Sequence, residues 1–144
     1  MSGTRIERVE EMPVFRLFYD LALTVELETR GLGPDFRWLR RQVLRSSESV
    51  CANMTEGFYS QYSTEYVQAL YRCRREGRET VLHLRYAAAA AGLSGPTVSG
   101  LVAQYEGALR QLASLIVSVE RKMERRGKSK VLPPEAPVAA AGET

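Results

Sequence analysis

The chain has 144 residues, of which 44% are apolar and 26% charged, so one globular domain is expected and a disordered chain is excluded. No apolar run approaches the roughly 18 residues of a membrane span, and the N-terminal segment lacks the apolar stretch of a secretory signal. The net charge of +3 is mild, and the composition predicts a cytoplasmic protein without a membrane segment.

The first predicted helix covers residues 13–30. Pro13 suits the first turn of a helix, and Gly31 and Gly33 are typical stop signals. The apolar residues between them recur at steps of three and four, which is the period of a helix with one buried face. These residues include Phe15, Phe18, Ala22 and Val25.

The second predicted helix covers residues 35–58 and has two contrasting faces. An apolar stripe that includes Leu39, Val43 and Met54 predicts its buried side. The arginines recur at i, i+4 and i+8 and therefore share another face, with no acid among them. They are Arg37, Arg41 and Arg45, and Arg40 adds a fourth cation to the same stretch.

The third predicted helix covers residues 63–92 and has the most regular amphipathic pattern in the chain. Five consecutive alanines at 87–91 favour a helix, and Gly92 ends it. Three arginines share a face away from the apolar stripe, and they are Arg74, Arg78 and Arg85. The helix carries more small and apolar surface than one stripe requires, which indicates oligomerisation.

The fourth predicted helix covers residues 96–126, after the turn at Gly95–Pro96. Its end is rich in cations, which suit the negative end of the helix dipole. Residues 127–144 are Pro- and Ala-rich without an apolar period and predict a disordered tail. Four long helices with short connections predict an all-α fold. Residues 1–126 should form an antiparallel up-down-up-down four-helix bundle.

The stretch from Arg45 to Leu70 is unusually small and polar for a helix core. Asn53 and Glu56 are three residues apart and share a face, and Gly57 indicates a helix end or a tight crossing. A carboxylate inside a bundle must find donors or lose its charge. One interpretation is a structural polar motif at the corner between helices 2 and 3, with Glu56 buried and hydrogen-bonded. The other is a cluster that faces a ligand.

The sequence does not point to an enzyme. A nucleophile needs an activating base, but the only histidine, His83, lies on a long helix, and Glu56 and Glu79 are isolated carboxylates. No phosphate-loop, dinucleotide or nucleophile-elbow motif is present. Cys51 and Cys73 lack metal-ligand spacing and are expected to be reduced and buried. We therefore predict no metal and no cofactor.

Arginine dominates the basic residues, since 17 of the 20 are Arg. Its guanidinium group suits bidentate contact with phosphate or carboxylate. One interpretation is solvated helix faces with ion pairs, and the other is a surface that binds a polyanion. The candidate nucleic-acid-binding residues are Arg37, Arg40, Arg41, Arg45, Arg74, Arg78 and Arg85.

Residues 49–58, which read SVCANMTEGF, are followed by Glu65-Tyr66 and Leu70-Tyr71. This segment resembles the signature of the bacterial four helix bundle protein family, roughly S-I-P-A-N-I-A-E-G-F and then E-F and L-Y. The resemblance extends over residues 12–124. Cys51 departs from the family, which usually has Pro there, and the turn at 59–62 lacks the family's cations.

That family includes proteins encoded in intervening sequences of 23S rRNA genes, once called S23 ribosomal proteins. It is related in fold to Avd, the accessory variability determinant of diversity-generating retroelements. The resemblance implies a homopentamer around a central channel. For the Avd relatives, it also implies binding to a reverse transcriptase and to nucleic acid.

The favoured hypothesis is a non-enzymatic, oligomeric, basic bundle that binds RNA or DNA as an accessory factor, with a retroelement reverse transcriptase as a candidate partner. The alternative is a protein-interaction scaffold, whose arginines make ion pairs between subunits and which binds no nucleic acid.

Overall fold

The computed structural model describes residues 5–129, and this part of the chain is helical without any strand. The all-helical prediction is therefore confirmed. The α-helices are α1 (Pro13–Glu28), α2 (Arg37–Phe58), α3 (Ser63–Ala90) and α4 (Gly95–Ser129). A 3₁₀ turn at Val9–Glu11 precedes α1, and a second at Pro34–Phe36 precedes α2.

The helix ends differ from the predicted ones by a few residues. α1 stops at Glu28, where the Thr29 hydroxyl donates to the Val25 carbonyl at 2.7 Å. α3 stops at Ala90, and Gly92 takes a φ of +78°, a left-handed conformation that glycine adopts without steric cost. α4 continues to Ser129, so the first residues of the predicted tail are helical. The rest of that tail lies outside the described residues.

The four helices share one hydrophobic core. α1 contacts α2 and α4, and α3 contacts the same two helices from the other side. Phe18 of α1 and Tyr105 of α4 are fully buried, with their ring centroids 6.1 Å apart. The apolar residues of α2 and α3 complete the core, among them Val43, Met54, Leu70 and Leu84. No helix in the described range is both long and apolar enough to cross a bilayer.

Small side chains bring α2 and α3 close together. Ser46 and Thr80 are buried, and the Thr80 hydroxyl donates to the Ser46 hydroxyl at 2.8 Å between these helices. At the corner, a Cβ atom on Gly57 would lie 2.5 Å from the Cβ of Ala69 and 3.1 Å from Cδ1 of Tyr66. The glycine is therefore required by the closeness of the two backbones.

Gly57→Ala should lower the free energy of unfolding by about 1–3 kcal/mol, because the added methyl group overpacks the corner. Gly100→Ala is the matched control, since Gly100 also lies within a helix but has open space around its Cβ position. That change should stabilise the protein by up to about 1 kcal/mol. Denaturant unfolding followed by circular dichroism measures both, and shifts of equal sign would contradict the assignment.

Candidate nucleic-acid interface

The structure divides the seven arginines named above by what their side chains contact. Three make ion pairs with carboxylates, and these are Arg40, Arg45 and Arg85. Arg74 lies over the Tyr71 ring, with the guanidinium carbon 4.7 Å from the ring centroid. Arg37, Arg41 and Arg78 make no hydrogen bond or ion pair with any described residue, and all three are exposed.

Four arginines surround a surface cavity of about 370 Å³ near the end of α1 and the start of α2. We call this cavity the arginine pocket, and its lining residues are Arg30, Leu32, Arg37, Arg40, Arg41 and Leu44. It forms because α1 stops at Glu28 and the chain turns through residues 29–36 into α2. The turn places Arg30 beside the first residues of α2.

Arg40 lines the pocket and is held by hydrogen bonds to Thr29 and Glu26. Its Nε donates to the Thr29 carbonyl at 3.1 Å and to the Thr29 hydroxyl at 3.2 Å. Its Nη2 donates to the Glu26 carbonyl at 3.2 Å and to the Glu26 carboxylate at 3.0 Å. Two of these acceptors are carbonyls at the end of α1, where helix carbonyls lack intrahelical partners. Arg40 therefore joins α1 to α2 as well as lining the pocket.

Glu26 is the carboxylate that pairs with the pocket arginines. Arg30 and Arg40 both donate to it, and the hydrogen bond from Arg30 is the largest cause that lowers the pKa of Glu26. One carboxylate pairs with two of the four cations. Arg37 and Arg41 keep their positive charge uncompensated at the mouth of the pocket.

Arg45 does not join this surface, although it lies on the same helical face as Arg37 and Arg41. Its guanidinium donates to Glu76 at 3.3 Å and also to Glu79, both from α3. Partial burial by itself raises the pKa of Glu79, but hydrogen bonds from His83 and Arg45 outweigh it and lower that pKa. The sequence has no acid among the arginines of this face of α2, but acids of the neighbouring helix compensate the charge of Arg45.

The α3 arginines do not line the pocket. Arg85 pairs with Glu106 of α4 at 3.6 Å, and both side chains are well exposed. The hydroxyl of Tyr71, whose ring lies beneath Arg74, donates to Glu120 at 2.8 Å. This hydrogen bond connects α3 to α4. Sequence spacing placed these arginines on one face of α3, but the structure gives Arg74, Arg78 and Arg85 different surroundings.

The polar motif at the corner between α2 and α3 is organised by Asn53. Its amide nitrogen donates to the Ser49 carbonyl at 2.9 Å, and its amide oxygen accepts from Arg72 Nε at 2.9 Å. Glu56 is exposed and makes no hydrogen bond with any described residue. The expectation of a buried, hydrogen-bonded Glu56 is therefore wrong. Arg72 of α3 donates instead to Asn53, which lies one turn before Glu56 in α2.

The turn between α2 and α3 contacts the N-terminal segment. The Val9 backbone N–H donates to the Tyr59 hydroxyl at 3.2 Å, and the Tyr66 hydroxyl donates to Met12 Sδ at 3.6 Å. The turn carries tyrosines and no cation, and Tyr59 holds the segment that leads into α1. This turn contributes packing rather than positive charge.

No group of three or more His, Cys, Asp or Glu side chains in the described part of the chain is arranged to hold a metal ion. Burial raises the pKa of the Cys51 and Cys73 thiols to about 12, so both stay protonated near neutral pH.

Comparisons with known proteins identify the family. Residues 10–114 match the family model described as 23S rRNA-intervening sequence protein, and the chain belongs to that family. The fold is similar to a protein of unknown function from the S23 ribosomal protein family of Bacteroides thetaiotaomicron VPI-5482. The TM-score is 0.66 at 19% sequence identity, covering 72% of this chain and 94% of that one. No curated protein matches the chain.

Asn53→Ala should lower the free energy of unfolding by about 1–2 kcal/mol, because Arg72 would lose its acceptor. Glu56→Ala is the control on the same helix face and should change stability by less than about 0.5 kcal/mol. Thermal unfolding of both variants measures the two changes in stability. A larger loss for Glu56→Ala than for Asn53→Ala would contradict the assignment.

Proposed function

We propose that this member of the 23S rRNA-intervening sequence protein family is a non-enzymatic accessory protein that binds nucleic acid through phosphate groups in the arginine pocket. The observation that carries the proposal is the uncompensated charge of Arg37 and Arg41 beside Arg30 and Arg40. Guanidinium groups bind phosphate oxygens in a bidentate manner. Phosphate contacts carry no sequence information, so RNA and DNA are both candidate ligands.

The pocket is partly preorganised for an anion. Arg40 is fixed by its bonds to Thr29 and Glu26, so it loses little side-chain freedom when a phosphate enters. Arg37 and Arg41 are free to close on the ligand from the solvent side. This set engages two or three phosphates per chain, which predicts a shallow salt dependence for one subunit.

The proposal includes an antiparallel up-down-up-down arrangement of the helices. The contacts between α2 and α3 support it: Ser46 contacts Thr80, Val50 contacts Cys73, and Asn53 contacts Arg72. Later residues of α2 therefore meet earlier residues of α3. The short connection at 59–62 favours the same arrangement.

Assembly into a homo-oligomer is the second part of the proposal. An exposed apolar ridge runs along α1 at i, i+4 and i+8, and it consists of Tyr19, Leu23 and Leu27. A contiguous apolar surface of this kind favours contact with another protein. A pentamer is proposed on the family resemblance.

The same apolar ridge favours the alternative function, a protein-interaction scaffold that binds no nucleic acid. A retroelement reverse transcriptase, as in the Avd relatives, and a cytoplasmic location are further proposals that rest on the resemblance and on composition. A reverse-transcriptase gene beside the gene for this chain would support that partner, and an enclosing 23S rRNA gene would support the intervening-sequence role.

Replacing Arg37 and Arg41 together by Gln should weaken binding to structured RNA and duplex DNA. The salt slope should flatten by about 0.9 for each lost phosphate contact on duplex DNA, or about 0.7 on single strands. Arg78→Gln is the control, because Arg78 is equally exposed and unpaired but lies outside the pocket. Fluorescence anisotropy from low to high salt measures all three proteins. Wild-type protein that binds neither nucleic acid at low salt would contradict the proposed function.

Light scattering should give a mass of several times the 16.1 kDa of one chain, and five times that mass for a pentamer. Replacing Leu23 and Leu27 by Glu should shift the protein to smaller species, because the ridge would then carry charge in place of apolar surface. A wild-type mass near 16.1 kDa at micromolar concentration would refute the assembly.

A further inference from the structure

We propose that Trp38 and Tyr86 form a stacking platform for unpaired bases, so that the preferred ligand is single-stranded nucleic acid or an unpaired loop. This inference rests on the proposed function and names its ligand class. Trp38 near the start of α2 and Tyr86 near the end of α3 lie edge to face, with their ring centroids 5.8 Å apart. We call these two side chains the aromatic pair.

Both side chains of the aromatic pair are exposed to solvent. Trp38 is 45% exposed and Tyr86 is 46% exposed, and Leu82, one turn before Tyr86, is 61% exposed. Large aromatic side chains contribute most of their free energy when they are covered, and they dominate the energetics of interfaces. Trp38 has a buried neighbour in Leu39, so its own exposure is not a consequence of a loose helix end.

The aromatic pair is continuous with the arginine pocket. Trp38 directly follows Arg37 in α2, and Arg41 lies one turn further along the same face as Trp38, a rise of about 4.5 Å. Both arginines line the pocket. A strand with its phosphate on Arg37 and Arg41 therefore has an adjacent base within reach of the indole ring.

The chemistry of the surroundings favours a nucleotide over an apolar peptide. The rings are flanked by Arg37 and Arg41, and Arg85 directly precedes Tyr86. This combination suits a ligand with a planar apolar face joined to an anion, which describes a nucleotide. Proteins that bind single strands use the same pairing of cations and aromatic rings. Bases within a duplex are already stacked and cannot offer a free face to the rings.

Sequence spacing gave no sign of this surface. Each aromatic residue follows an arginine, but the two are far apart in the chain. They meet only because α2 and α3 pack along their whole length.

Trp38 is the only tryptophan in the chain, so intrinsic fluorescence reports on the platform directly. A uridine homopolymer should quench the emission in a saturable way, whereas an RNA duplex of the same length should quench it weakly. Heparin, a polyanion without bases, should occupy the arginines without this quenching. Equal quenching by all three ligands would overturn the inference.

Substitutions provide the second measurement. Trp38→Ala and Tyr86→Ala should each weaken binding of the homopolymer about tenfold, or about 1.4 kcal/mol, in fluorescence anisotropy. Trp38→Phe should lose less, because it keeps an aromatic ring. Tyr62→Ala is the control, since Tyr62 is 59% exposed but lies at the opposite corner between α2 and α3. Wild-type affinity in Trp38→Ala would overturn the inference.

The outcomes separate the two proposals. Salt-sensitive binding that leaves Trp38 emission unchanged overturns the platform but leaves the arginine pocket as the binding site. No binding of any nucleic acid overturns both. A blue shift of the emission with protein concentration alone would show that a second copy of the chain covers the ring, and this also overturns the platform.

Discussion

Carbonyl oxygens at the end of a helix have no intrahelical partners, and at the end of α1 the Arg40 guanidinium donates to the carbonyls of Glu26 and Thr29. This contact fixes where the chain leaves α1 and how α2 begins beside it. The position of Arg30 in the turn and the direction of Arg37 and Arg41 follow from that geometry. Without this contact, the four arginines would repel one another with less compensation. With it, Glu26 offsets part of that repulsion and the remaining charge is concentrated at one place.

The closeness of α2 and α3 decides which arginines are available. The small residues Ser46, Thr80 and Gly57 let these helices approach closely. Long side chains of one helix can therefore reach residues of the other. Glu76 and Glu79 can therefore hold Arg45, and Arg72 can reach Asn53. The same proximity joins Trp38 to Tyr86. The close packing of α2 against α3 therefore has two effects. It compensates the charge of Arg45. It also brings together the two rings of the aromatic pair.

The four helices were predictable because the apolar residues of each recur at helical spacing, a pattern that is local to each segment of the chain. Helix ends were less so, since the stop of α1 depends on Arg40 and Thr29 and the start of α2 on a 3₁₀ turn. The site was predictable only in part. Arg37, Arg40 and Arg41 were among the candidate residues and line one pocket, but Arg30, which follows α1 in the chain, was missed. The burial of Glu56 was predicted wrongly and the acidic partners of Arg45 were missed, because the surroundings of both residues depend on residues of α3.

A net charge of +3 is small for a protein proposed to bind a polyanion, and the distribution of charge resolves the difficulty. Ion pairs occupy Arg40, Arg45 and Arg85, whereas Arg37 and Arg41 make no ion pair with any described residue and lie together at the pocket. One pocket alone binds few phosphates and is expected to be weak. Leu27 of the apolar ridge lies one turn before Arg30, so contact between subunits along α1 would bring several pockets into one assembly. A strand that engages more than one pocket gains from the raised effective concentration of the second, which makes binding depend on assembly.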